Sequence, residues 1–448
     1  MKYKKYPKYK SSGIEWLGEI PEHWEVRRLK RFASIKNGNS ISDKLKEYFA
    51  IQKGLPYIST KDIDLNTSKI NYNVVLHIPN DNLKEFKISF PNSVLICIEG
   101  GSAGKKIAFN TKKVCYVNKL ASIKSHSKDM DDKYLYYFVK TKNFNFLFNN
   151  YLNGMIGGVS VNDLKSFPIL LPPLSEQKAI ATFLDKATEK IDNLIQKEEE
   201  LIKLLEEKKE ALITKAVTKG LKNAKMKDSG IEWLGEIPEH WEVRKLKYLI
   251  NGKLQYGANE SGQTYNPNLP RYIRITDFDQ NGKLANKNKL SLSWEKAKNY
   301  LLKKGDVLFA RSGATVGKTF QFNPEKLEDK YYAFAGYLIK AEPNKKIITS
   351  DFLYFFTTSK AYKNWKDYIF SKSTIENIGA DKYSELILPL PPLQEQKEIT
   401  EYLDKKLAKI DKLIEKSKKA IELLKEKKEA LITNAVTGKI DVRESYEV

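Results

Sequence analysis

Cysteine is nearly absent from this chain: two residues in 448, Cys97 and Cys115, both in the first half. That excludes a disulfide framework, and their spacing is not the Cys-x-x-Cys of a zinc site. Histidine is equally scarce, with four residues. His23 and His240 sit identically before Trp24 and Trp241 but have no ligand residues beside them, so a packed or surface role is expected and a metal is not. No apolar run approaches the ~20 residues of a membrane span, and Met1 to Pro7 lacks the apolar core of a secretory signal. The thiols therefore read as reduced and the protein as cytoplasmic. Several catalytic signatures are missing too. There is no Gly-x-Ser-x-Gly elbow, no His-Glu-x-x-His helix and no Gly-rich adenosylmethionine loop after a strand. The two Pro-Pro dipeptides precede leucine, unlike the Asn/Asp-Pro-Pro-aromatic motif of amino-methylating enzymes. Acidic residues are the minority charge, 56 against 78 Lys and Arg, leaving +22. An excess of that size speaks of partners and favours nucleic acid over membrane. Lysine-rich, Asn- and Ile-rich usage typical of an AT-rich genome accounts for part of it.

What is present is said twice. Ser12-Gly13-Ile14-Glu15-Trp16-Leu17-Gly18-Glu19-Ile20-Pro21-Glu22-His23-Trp24-Glu25-Val26-Arg27 returns unchanged as Ser229 to Arg244. Downstream, Leu171-Pro172-Pro173-Leu174-Ser175-Glu176-Gln177-Lys178 is answered by Leu390-Pro391-Pro392-Leu393-Gln394-Glu395-Gln396-Lys397 at nearly the same spacing. A duplicated unit of this size predicts two related domains with internal pseudo-two-fold symmetry. Duplex DNA is the commonest partner of matching symmetry.

Each half divides into a mixed segment and a charged helical one. The first domain is placed at 1–170, the first helix at 171–220, the second domain at 221–389, the second helix at 390–438 and a tail at 439–448. Apolar, β-branched runs such as Ser93 to Ile98 and Asp306 to Ala310, punctuated by Gly, Asn and Pro, predict strands. Tyr134 to Phe138 and Phe352 to Phe356 follow acidic starts and read as short buried helices. The fold class is α+β: two similar strand-rich globular domains joined by two long α-helices in an antiparallel coiled coil. In the helical segments Ile180, Leu184, Ile191, Leu194, Leu205 and Leu212 fall on a heptad stripe, repeated by Ile399, Leu403, Ile410, Leu413, Leu424 and Leu431. Proline precedes each start, and Gly220 and Gly438 follow each end. Each helix would be roughly 66 Å long. Its best available mate is its own duplicate, and connectivity makes the pair antiparallel.

Inside the domains the frame repeats while the loop chemistry diverges. Tyr57 to Ile63 aligns with Tyr272 to Phe278, and Val94 to Asn110 aligns without gaps with Val307 to Asn323. Gly313-Ala314-Thr315-Val316-Gly317-Lys318-Thr319 imitates a phosphate loop, but only three residues separate its glycines, and Ser312 stands where the first glycine belongs. A turn bringing backbone and lysine toward DNA phosphate, or a plain tight turn, fits better. No catalytic residue is assigned, although scattered acidic pairs leave open a duplicated-domain nuclease acting as a single chain. DNA contacts are expected from loops with donors. In the first domain these are Lys36, Asn37, Asn39, Ser59, Thr60, Lys61, Ser102, Lys105, Asn153 and Ser160. In the second they are Tyr256, Asn259, Arg271, Arg274, Thr276, Arg311, Ser312, Thr315, Lys318, Lys372, Ser373, Thr374 and Asn377. Arg274 and Arg311 are the best candidate base readers, because arginine forks match base edges and both occupy diverged positions.

Together these motifs resemble the specificity subunits of type I restriction–modification systems. The resemblance rests on the Ser-Gly-Ile-Glu-Trp opening, the Leu-Pro-Pro-Leu-x-Glu-Gln lead-ins, the Glu-Lys-Lys-Glu-Ala-Leu-Ile-Thr helix ends at Glu207 to Thr214 and Glu426 to Thr433, and the Gly-Ala-Thr-Val-Gly-Lys loop. It spans the whole chain. It implies two target recognition domains, each reading half of a split DNA site, with paired helices fixing the gap. It further implies assembly with two modification (methyltransferase) subunits and with restriction (translocase/nuclease) subunits. The chain itself would be non-catalytic and hold no cofactor, with adenosylmethionine, ATP and Mg²⁺ in those partner subunits. The first-domain loop Glu99 to Lys106 departs from the usual sequence, which bears on the role of Lys105.

Overall fold

The repeated peptides, far apart in each half of the sequence, meet in space. The structure, a computed structural model, describes residues 3–152, 157–279, 282–371 and 377–443. It divides into two compact units, residues 1–199 with 418–448 and residues 200–417. In the first, Trp24 is fully buried and its indole Nε1 donates to Glu176 at 3.0 Å, while His23 Nε2 lies 2.7 Å from the other carboxylate oxygen. In the second, Trp241 and His240 meet Glu395 at 3.1 and 2.8 Å. The adjacent glutamine acts in parallel. Gln177 accepts the Asp131 N–H at 2.9 Å and donates to the carbonyls of Asp129 and Pro172. Gln396 accepts from Thr349 and donates to Ile347 and Pro391. The Glu-Gln pair thus ties each long helix to the opening peptide and to the start of a short buried helix.

Those short helices are Asp132–Val139, capped by the Asp131 carboxylate, and Ser350–Thr357, capped by the Thr349 hydroxyl. Each packs on a four-stranded antiparallel sheet. In the first unit the strand order is Ala33–Asn37, Leu120–Ser125, Ser93–Cys97, Ile107–Asn110. In the second it is Gln255–Tyr256, Leu338–Ala341, Val307–Ala310, Thr319–Gln321. All five residues of Ser93–Cys97 and all four of Val307–Ala310 are buried, as their continuous apolar runs require. A second small sheet in each unit contains one parallel pair, Leu55–Ile58 with Val114–Tyr116 and Arg271–Ile273 with Tyr332–Phe334. The fold class is therefore α+β, duplicated.

The long helices run Leu174–Lys219 and Leu393–Val436. Glycine ends both. Gly220 and Gly438 adopt left-handed φ of 72° and 70°. A Cβ at Gly438 would also collide with the Pro21 ring. Within each unit the helix segments are antiparallel. In the first, Lys428 Nζ bridges both carboxylate oxygens of Asp192 at 2.6 and 2.7 Å, and Val436 lies beside Leu170 through the Tyr134 hydroxyl. In the second, Lys209 meets Asp411 at 2.7 Å and Gly220 approaches Glu395. Of the expected stripe, Ile180, Leu184, Ile191, Leu205, Ile399, Leu403, Ile410 and Leu431 are buried, and Leu212 and Leu424 are half-buried. Leu194 and Leu413 are instead 50% and 48% exposed, and Ile195 and Ile414 take the inward places. A helix of 3.6 residues per turn drifts ~20° per heptad from a strict 3.5 repeat, and here the buried face follows the helix.

Candidate nucleic-acid interface

In the second unit the diverged loops converge at one end of the four-stranded sheet. Arg311 leaves Val307–Ala310 and lays its guanidinium 5.0 Å over the Tyr256 ring. Tyr256 is held in turn, its hydroxyl accepting the Ala380 N–H at 2.9 Å. Ser312 bridges to Asn377, and the Arg311 backbone N–H donates to the Tyr337 carbonyl at 3.1 Å. Tyr337, which the sequence reading missed, is 60% exposed. It also lines a cleft of about 280 Å³ shared with Asn259, Arg274 and Thr276. Tyr337 thus joins two groups of candidates, Asn259, Arg274 and Thr276 in its cleft, and Arg311, with Tyr256, at its backbone carbonyl. The available signal for Tyr337 was an aromatic directly after Gly336 in a turn between strands.

Three side-chain atoms here, Arg311 Nε, Thr315 Oγ1 and Asn377 Oδ1, are buried without a hydrogen-bond partner among the described residues. Buried polar groups are ordinarily paired, so three such atoms together depart from the usual pattern. Arg274 is aimed by Asp277, which accepts from its Nε and NH2 at 3.1 and 2.8 Å, and by the Asn288 carbonyl. The same turn in the first unit has Ser59 donating through both N–H and hydroxyl to Asp62 at 2.8 and 2.6 Å. One frame therefore displays a guanidinium in one unit and a hydroxyl in the other.

Other candidates are placed elsewhere. Arg271 is 2% exposed and occupied by Asn286, the Ala285 carbonyl and Asp329, so it is a core pin. Lys318 turns back onto the Phe278 carbonyl at 3.2 Å. The Gly313–Thr315 turn closes on itself, Val316 N–H to Gly313 and Lys318 N–H to Thr315. In the first unit the candidates do not form one cluster. Lys36 and Asn37 are exposed on the edge strand, but both ends of the Asn39 amide are occupied by the backbone of Glu85 and Lys87. Lys61 lines a cavity of about 480 Å³ with Lys69 and Lys106, where Lys106 Nζ donates to the Thr60 carbonyl. Lys105 reaches the Gly101 carbonyl and Ser102 is half-buried. Ser160 caps the helix Val161–Ser166 through Asp163. Asn153, Lys372, Ser373 and Thr374 lie outside the described residues.

Among the described residues no group of three or more His, Cys, Asp or Glu is placed to hold a metal ion, and no helix is long and apolar enough to cross a membrane. Both cysteines are buried, and burial pushes the Cys115 thiol up to about 11, away from nucleophilic use.

Comparison with known proteins decides the family. The type I restriction modification DNA specificity domain matches twice, over residues 21–204 and 238–423. The chain belongs to that family. It is 28% identical to the type I restriction enzyme MjaVIII specificity subunit of Methanocaldococcus jannaschii, covering 95% of this chain and 94% of that one. It is 27% identical to the putative MjaX specificity subunit of the same organism, over 95% and 96%. A solved chain from work on assembly and conformational transition of the type I R-M system shares the fold, with TM-score 0.70, 17% identity and coverage of 94% and 99%. As a specificity subunit, this chain contributes recognition, not catalysis, to a restriction–modification system. Nothing in these relatives supports the single-chain nuclease.

Proposed function

We propose that each globular domain of this specificity subunit reads one half of a split duplex target, and that the two long helices set the gap and dock two modification subunits. Adenosylmethionine, ATP and Mg²⁺ would then act in the partner modification and restriction subunits, in the cytoplasm. The observation that carries the reading is the repeated frame with diverged display, Arg274 over Asp277 in one unit and Ser59 over Asp62 in the other. Equal scaffolds with unequal donors are what two different half-sequences require.

The test is Arg311→Ala, assayed in the assembled methyltransferase by mapping methylated adenines and by binding to the cognate duplex. Loss of a bidentate base contact costs about 1–3 kcal/mol of discrimination at one position. The expected result is relaxed sequence preference within one half-site, the other half unchanged. Equal weakening on cognate and arbitrary duplexes would remove Arg311 from base reading.

A further inference from the structure

One surface occurs in both units with different charge. In the first, the strand Glu25–Arg28 and the turn Leu29–Arg31 expose Arg27, Arg28, Lys30 and Arg31. With Ile14, Val26, Ser166 and Pro168 these side chains line an open groove of about 550 Å³. Arg27 pairs with Glu25 at 2.7 Å. Among the described residues no carboxylate is paired with Arg28, Lys30 or Arg31. The second unit has the same strand and turn, Glu242–Lys245 and Leu246–Tyr248. There Glu385 accepts from Lys245 at 2.5 Å and from Lys247 at 2.6 Å, and those two bonds hold its carboxyl below the usual range.

The equivalence is set by strand pairing. Arg28 pairs with Pro168 and Lys245 with Ile387, so Ser166 occupies the place of Glu385. Arg31 likewise occupies the place of Tyr248. The first unit therefore sets four cations against one carboxylate, where the second sets three against two. The Ser166 hydroxyl donates locally to the Asp163 carbonyl at 2.6 Å and does nothing to offset that charge.

We propose that this groove is a phosphodiester-binding seat by which the first recognition domain holds the backbone of duplex DNA, and that the second domain has neutralised its copy. The proposal rests on the DNA-reading function above and adds to it where, and on which domain, the backbone is gripped. Guanidinium forks match phosphate oxygens bidentately, and three uncompensated cations in a row suit a polyanion. A protein partner is ordinarily anchored by an aromatic side chain in a closed pocket, and this open lining, with Ile14, Val26 and Pro168, has no aromatic side chain. The contacts carry no sequence information, so they supply affinity and register.

Two charge exchanges at exposed positions test this in the full chain, by titrating a short duplex of arbitrary sequence over a range of salt. Ser166→Glu copies the clamp of the second unit into the groove. It should weaken binding at low salt roughly 3–10-fold and reduce the salt slope by about one. Glu385→Ser should do the reverse, and joint replacement of Arg28, Lys30 and Arg31 by alanine should flatten the slope by about two to three. Wild-type slopes in all three variants, with the parent chain still binding duplex, overturn the seat and leave the reading function standing. A parent chain that does not bind duplex at low salt overturns both. Unchanged DNA binding combined with loss of co-purifying subunits in Ser166→Glu assigns the groove to an acidic protein and overturns the proposal.

Discussion

Glu176 is the acceptor on which the first opening peptide depends. It is 7% exposed and takes Trp24 at 3.0 Å, Tyr6 at 3.2 Å and His23 at 2.7 Å, with Arg443 at 3.5 Å. Burial and the neighbouring carboxylates push the Tyr6 phenol well above its usual range, so it remains a donor. Glu395 has only His240 and Trp241 among the described residues, and its side chain is 24% exposed. Replacing Glu176 by alanine strands the fully buried Trp24 N–H and should cost about 2–4 kcal/mol, whereas Glu395→Ala should cost about 1–2 kcal/mol because water reaches the gap. Urea denaturation followed by tryptophan fluorescence checks this, and equal costs would contradict the account. Both peptides were legible in the sequence as repeats. Their meeting was not, because a hydrogen bond between residues 152 apart leaves no local pattern. Arg271 shows the same limit in reverse. It read as a donor on a loop, and only the positions of Asn286 and Asp329 reveal it as a core residue.

At the scale of elements, periodicity made the two long helices plain, and caps of Pro and Gly fixed their ends. The seam was less legible. A strict heptad sends Leu194 and Leu413 inward, yet the helix period brings Ile195 and Ile414 there, 9% exposed each. Leu194→Gln should therefore change stability by less than about 0.5 kcal/mol, while Ile195→Ala should cost about 2 kcal/mol or more. Comparable losses from the two would restore the strict heptad. The loops resist prediction for a different reason. Ser59 and Arg274 occupy one turn, and what each displays depends on which partner aims it, as Asp277 does for Arg274.

For the molecule as a whole, the charge of +22 was readable at once, but its distribution was not. The neutralising Glu385 lies 140 residues from Lys245. Unit membership was also hidden. The first unit takes in residues 418–448 along with 1–199. Near the chain ends the Asp441 N–H donates to the Lys4 carbonyl at 2.8 Å, Tyr9 donates to the Gly438 carbonyl, and Arg443 lies 4.9 Å over Tyr6. Deleting residues 418–448 should leave the second unit, residues 200–417, folded, while exposing Ile180, Leu184, Ile191 and Ile195 of the first. Limited proteolysis checks this: cleavage should spread through residues 1–199 and spare the second unit, and uniform resistance would contradict it.

The same division sets the order in which the molecule is completed during synthesis. Domains generally fold as they emerge, N-terminal first. Here the first domain must wait for residues 418–443, because Ile421, Leu431, Ile432 and Val436, all buried, belong to its unit. The second domain has all its parts once residue 417 has left the ribosome. The nascent protein therefore carries an unfinished first domain until those residues emerge, and a chain that stops short of residue 418 is damaged in its first domain and not in its second.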